Sequence, residues 1–223
     1  MPDLATLMQN IIIWAPGVLL AITLHEWAHG YAASRFGDHT AAMMGRLSLN
    51  PLVHIDLIWT IVVPIGILIF SMVTMGQPFA FGGAKPVPVN PRNFRGSLRV
   101  AMFWVAIAGP LMNLILAVVA ALLLHGVGFL PEFFATPVAL MLLAMLKMNV
   151  ILAVFNLLPM PPLDGGRIAV AVLPHPWDRY WAGMERWGIV IVMGLAFTGL
   201  LGQILGPMMA MVTHAVASMT GLI

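Results

Sequence analysis

The chain has 223 residues, enough for one domain, of which 61% are hydrophobic and 8% charged. An average soluble protein carries about 25% charged residues, so this composition, with a mean hydropathy of +0.99, excludes an ordinary soluble domain and indicates an integral membrane protein. The net charge is only +2, which makes the pI near 9.5 a topology signal and no nucleic-acid footprint; the absence of cysteine excludes disulfides and thiolate metal sites.

In chain order, the first apolar span runs from about Leu7 to Arg35. No basic stretch precedes it and it leads directly into ionisable residues, so it reads as a span and not as a cleaved signal peptide. The polar stretch "GDHTAAMMGRLSLNPLVHID" follows, and then an apolar run from Leu57 to Met75 that contains Pro64. The next segment, "GQPFAFGGAKPVPVNPRNFRG", is rich in Gly and Pro and alternates in a way that suits short strands and turns. Spans are expected at Val100 to about Leu124 and at Val138–Leu158, joined by a connector from Gly126 to Pro137. Two apolar stretches, Gly188–Leu201 and Pro207–Ile223, close the chain. The expected fold class is an all-α polytopic membrane protein of about five or six hydrophobic segments, with a small membrane-associated or re-entrant β-like loop.

Basic residues assign the sides. Arg35 and Arg46 follow the first span; Lys85, Arg92, Arg95 and Arg99 precede the Val100 span; Arg167, Arg179 and Arg186 follow the Val138 span. These segments should be cytoplasmic. Lys147 alone lies inside a span. Both flanks of Leu57–Met75 are basic, so that run is either re-entrant, or it crosses and "FAFGGAKPVPV" dips back to the cytoplasmic side. Non-helical backbone at membrane depth survives only where protein or a wet cavity satisfies it, so both options place a polar cavity in the cytoplasmic half.

The first span carries His25-Glu26-Trp27-Ala28-His29. Residues i and i+4 share a helix face, so His25 and His29 can bind one ion. Glu26, about a third of a turn away, can reach a water on that ion without ligating it. The spacing is that of zinc hydrolases, in which two imidazoles hold Zn²⁺ and the carboxylate accepts a proton. A lone Glu in an apolar helix costs roughly 2.5 kcal/mol or more, which argues against a chance pattern. A third ligand is required, and Asp164 in "NLLPMPPLDGGR" is the candidate, at the same end of the molecule by the charge assignment. Capping of the following helix is its alternative role. His54 beside Asp56 offers only a thin second metal pair, and a structural role outweighs it. His39, His125, His175 and His214 have no partner at ligand spacing and read as structural.

HEWAH at 25–29, "AGPLMN" at 108–113 and "NLLPMPPLDGG" at 156–166 together resemble the site-2 protease family, zinc metalloproteases that cut within membranes. "GRLSLNPLVHID" and "FGGAKPVPVNPRNFR" resemble its compact bacterial and archaeal branch, which lacks PDZ and CBS modules; Gly82-Gly83-Ala84-Lys85-Pro86 departs from it where that branch often has an aromatic. The resemblance implies one zinc ion per chain held by His25, His29 and Asp164, with Glu26 as general base. It further implies that Asn113 and Asn156 line the substrate cleft. The chain would then be one transmembrane protease domain over residues 1–223, with a catalytic core of about 7–173 and C-terminal helices of about 186–223. Its partners would be the lipid bilayer and single-span membrane proteins or membrane peptides, with no nucleic acid. Its place would be the cell membrane, with the active site toward the cytoplasmic side. A membrane metal-binding or metal-transport protein using the same ligands is the alternative; Glu26 discriminates, because a transporter needs no base beside the histidines.

Overall fold

A computed structural model describes residues 4–75 and 82–223. In chain order its helices are α1 (Leu4–Arg35), α2 (Thr40–Met43), α3 (Val63–Met75), α4 (Leu98–Leu124), α5 (Glu132–Asn156), α6 (Asp164–Val172), α7 (Trp177–Gly183), α8 (Glu185–Phe197) and α9 (Leu200–Thr220). Among the described residues, four helical stretches are long and apolar enough to cross a membrane: Met8–Arg35, Leu98–Phe129, Glu132–Asn156 and Leu200–Thr220. The protein is therefore a helical, polytopic membrane protein. Helix α8, expected as a further apolar segment, has 13 residues and so reaches only about 20 Å at 1.5 Å per residue, short of the roughly 30 Å hydrocarbon core.

The span α5 starts at Glu132, six residues before the expected Val138 and inside what the sequence offered as a connector. Pro137 obscures this start: as the sixth residue of α5 it withholds an N–H from the Phe133 carbonyl, yet the helix runs through it. Helix α9 likewise begins at Leu200 and carries Pro207 within it.

Helices α1, α4 and α5 pack on one another, and small side chains line their contacts. Ala21, Ala101, Ala117, Ala120, Ala121 and Ala153 are wholly enclosed, whereas Ile11, Ile12, Leu122 and Leu123 are more than half exposed. Lipid is as apolar as leucine, so close backbone approach and not water exclusion drives such contacts. Gly17 shows how close: a Cβ there would lie 3.1 Å from the Met145 Cα of α5.

The run from Leu57 to Met75 begins as a π-helical stretch, Leu57–Val62, that continues into α3. Its two flanks are hydrogen-bonded to each other. Lys85 N–H donates to the His54 carbonyl (2.8 Å), Thr60 Oγ1 donates to the Gly83 carbonyl (2.7 Å), and Arg46 donates to the carbonyls of Val53 and Lys85. Both flanks thus lie at one end of the molecule, which removes the parity conflict between them. Among the described residues there is no strand, and residues 82–90 are irregular chain. The remainder of the expected β-like loop, 76–81, falls outside the described residues. The chain from 87 onward follows α1 instead of pairing in a sheet. Gly30 allows this, since a Cβ on it would lie 3.0 Å from Val87 Cγ1.

Asp38, enclosed at 1% exposure, fastens that loop beyond the end of α1. Its carboxylate accepts from Asn90 N–H (2.7 Å), Asn93 Nδ2 (2.9 Å), and the N–H and hydroxyl of Thr40. Nearby, Arg95 N–H donates to the Phe36 carbonyl (2.8 Å). Burial pushes the Asp38 carboxyl up, but these donors outweigh it and hold it below the usual carboxylate range. Its contribution is therefore complete above the unfolded carboxyl value near 3.9 and is lost as pH falls through the lower folded value. Asp38→Ala is expected to destabilise the protein by about 1–3 kcal/mol, the usual cost of unpaired buried donors. Thermal unfolding in detergent micelles should also show wild type losing more stability than Asp38→Ala on acidification below about pH 4.

Candidate metal centre

His25 and His29 sit one turn apart on α1, both enclosed at 8% exposure. Their Nε2 atoms are 3.0 Å apart. Asp164 Oδ2 lies 3.2 Å from His25 Nε2 and 3.3 Å from His29 Nε2. These three residues are the one group among the described residues placed to hold a metal ion. Asp164 is the first residue of α6; Leu163 occupies the N-cap position, and no side chain caps the helix. The carboxylate is therefore spent on the imidazoles and not on capping.

The group suits zinc. Tetrahedral Zn²⁺ with ligand bonds of about 2.0–2.1 Å spaces its ligand atoms roughly 3.3 Å apart, close to the observed triangle. Asp164 Oδ2 is buried with no hydrogen-bond donor of its own in the protein, as a ligand atom should be.

Each imidazole is held from behind. His25 Nδ1 donates to Asn113 Oδ1 (2.6 Å) and His29 Nδ1 donates to the Val105 carbonyl (2.7 Å), both on α4. With the protons on Nδ1, both Nε2 lone pairs face the centre, the usual outer arrangement for metal-binding histidines. Glu26 sits beside the pair, and its Oε2 accepts from Val87 N–H (2.8 Å).

Close contacts bring the parts together. A Cβ on Gly109 would lie 2.4 Å from His29 Nε2 and 2.6 Å from His25 Cε1, so only glycine lets α4 meet the histidine pair. The proline turn after α5 is packed as tightly. A Cβ on Gly165 would lie 2.3 Å from the Leu157 carbonyl, one on Gly166 2.1 Å from Pro161 N, and one on Gly188 of α8 1.5 Å from the Pro161 carbonyl.

The resemblance implied that Asn113 and Asn156 line the substrate cleft; the structure gives the partners of each. Asn113 is wholly enclosed, with its oxygen on His25 and its nitrogen on Ala21 and Asn149, so none of its polar atoms faces a cleft. Asn156 donates to the Leu152 carbonyl of its own helix (3.0 Å). His54 is 2% exposed, and its Nε2 donates to the Ser48 carbonyl (2.9 Å). Sequence reading missed Asn149, although an amide inside an apolar span is the signal that singled out Asn113. It also missed the Val105 carbonyl and Val87 N–H, which as backbone groups leave no mark in a sequence.

Residues 132–195 match the family described as Peptidase family M50. The chain is 37% identical over 208 residues to "Putative zinc metalloprotease YwhC" of Bacillus subtilis, covering 92% of this chain and 87% of that one. It belongs to peptidase family M50, the site-2 proteases. The protease is also 32% identical over 198 residues to "Putative zinc metalloprotease Rip2" of Mycolicibacterium smegmatis (86% of this chain, 69% of the relative). It is 29% identical over 171 residues to "Zinc metalloprotease MJ0392" of Methanocaldococcus jannaschii (75% and 37%). No solved structure gives a significant match. The M50 protein is thus a membrane zinc metalloprotease, which sets aside the metal-transport alternative. Gly109→Ala is expected to displace an imidazole and strip the metal from this protease; zinc content of the purified variant, measured by atomic emission, checks it.

Proposed function

We propose that this protease cuts peptide bonds in transmembrane segments of membrane-tethered proteins, single-span proteins or membrane peptides, in the manner of regulated intramembrane proteolysis. The observation that carries this reading is the depth of the site. His25 and His29 lie within the spanning stretch Met8–Arg35 and rest against α4, also a span. A substrate bond must therefore come to the membrane-embedded helices, and a helical substrate must unwind locally to expose its carbonyl.

Zinc, when bound by His25, His29 and Asp164, would supply Lewis-acid polarisation of the scissile carbonyl and lower the pKa of water. Glu26 does the proton work. Val87 N–H holds its Oε2, and its other oxygen, with no partner among the described residues, accepts a proton from the attacking water. Water oxygen bonds to the carbonyl carbon; as the C–N bond breaks, Glu26 returns the proton to the leaving nitrogen. The gathering of basic segments at the metal-centre end supports a cell-membrane protein whose site faces the cytoplasmic side.

Glu26→Gln is expected to keep zinc and lower cleavage of a reconstituted single-span substrate by about 10²-fold or more. His25→Ala, His29→Ala and Asp164→Ala are expected to lose the metal itself. Cleavage by Glu26→Gln at the wild-type rate in proteoliposomes would overturn the assignment of the base.

A further inference from the structure

Behind His25 lies a chain of amides that the proton chemistry does not use. Asn149 of α5 is 0% exposed, as is Asn113 of α4. Asn149 Nδ2 donates to the Met145 carbonyl (2.8 Å). Asn113 Nδ2 donates to Asn149 Oδ1 (2.9 Å) and to the Ala21 carbonyl (3.2 Å). Asn113 Oδ1 then accepts from His25 Nδ1 (2.6 Å).

A carboxamide in isolation can be turned end for end and still make hydrogen bonds. Here it cannot, because the chain starts on a backbone carbonyl, which only accepts. Met145 obliges Asn149 to present its NH₂ there and its oxygen to Asn113. Asn113 must then offer NH₂ to Asn149 and oxygen to His25. A neutral His25 in turn must carry its proton on Nδ1, which leaves Nε2 unprotonated toward Asp164 and His29. The Ala21 carbonyl takes the second Asn113 proton and reinforces the same direction. Both amides are 0% exposed, so reversing any one group would set donor against donor or acceptor against acceptor, an expensive arrangement in a low-dielectric interior.

We infer that Asn149 is a positioning residue of the metal centre: through Asn113 it fixes the tautomer of His25 and so keeps Nε2 free to bind zinc. It touches neither metal nor substrate. This inference rests on the reading of His25 as a zinc ligand.

The test uses the full chain purified in detergent micelles. Zinc affinity is read by competition with a chromophoric chelator, and the His25 tautomer by nitrogen NMR of isotope-labelled histidines in zinc-free protein. Asn149→Leu is expected to lower zinc affinity roughly 10- to 100-fold, the range for outer partners of metal ligands, and to let His25 populate both tautomers. Asn149→Ala does the same should the leucine variant fail to fold. In an Asn113→Ala background the Asn149 substitution should cost little more affinity, because groups that act in series do not add. Val150→Ala, at an enclosed position outside the chain of amides, should lower the unfolding temperature and leave zinc affinity unchanged. Wild-type zinc affinity and a single His25 tautomer in both Asn149 variants overturn the inference, as does an effect that adds in full to Asn113→Ala. His25→Ala separates the two failures: wild-type zinc affinity in that variant would mean that the ligand reading itself has failed.

Discussion

The structure depends on the contact between α1 and α4 at Gly109. Two imidazoles project from α1 toward α4, and a single methyl group on α4 at that point would overlap them. The enclosed alanines around it let the helices approach over their length; the glycine lets them approach where the chemistry lies. From that contact the rest follows. The Val105 carbonyl and Asn113 come within reach of the two Nδ1 atoms, and α5, packed against both helices, delivers the proline turn that ends in Asp164. Small residues, which contribute little burial energy individually, set the geometry because in lipid the helices gain nothing from hiding large apolar side chains.

Legibility in the sequence followed the range of the interaction. The His25–His29 spacing is a local consequence of helix geometry, and the "LDGG" after a run of prolines marks a helix end that can carry a carboxylate; both were readable. The long apolar spans were readable from hydropathy. The start of α5 was not, because Pro137 looks like a break although it falls near a helix start. The short reach of α8 was hidden by its apolar composition, since length and not hydrophobicity decides whether a helix can cross. The loop after Gly82 alternates like a strand, yet its backbone groups are claimed by Glu26, His54 and Asp38, and the alternation says nothing of such partners.

The asparagines show the same limit from the other side. Asn113 in a span was readable as a polar group needing a purpose, but its purpose depends on what lies within 3 Å in three dimensions. Its oxygen meets a histidine 88 residues away in sequence. No periodicity in the chain reports that distance, and the same holds for Asp38 and the loop that it fastens.

The proline turn before Asp164 is confined on two sides, by Gly166 of its own helix and by Gly188 of α8, each at a separation that admits no methyl group. Packed protein resists compression, so such a turn behaves as a wedge with no slack. Asp164 cannot back away from the histidines unless α8 gives ground. This helix, too short to span the hydrocarbon core alone, therefore serves as a backstop for one corner of the metal triangle, and the stiffness of that corner comes from backbone pressed against backbone.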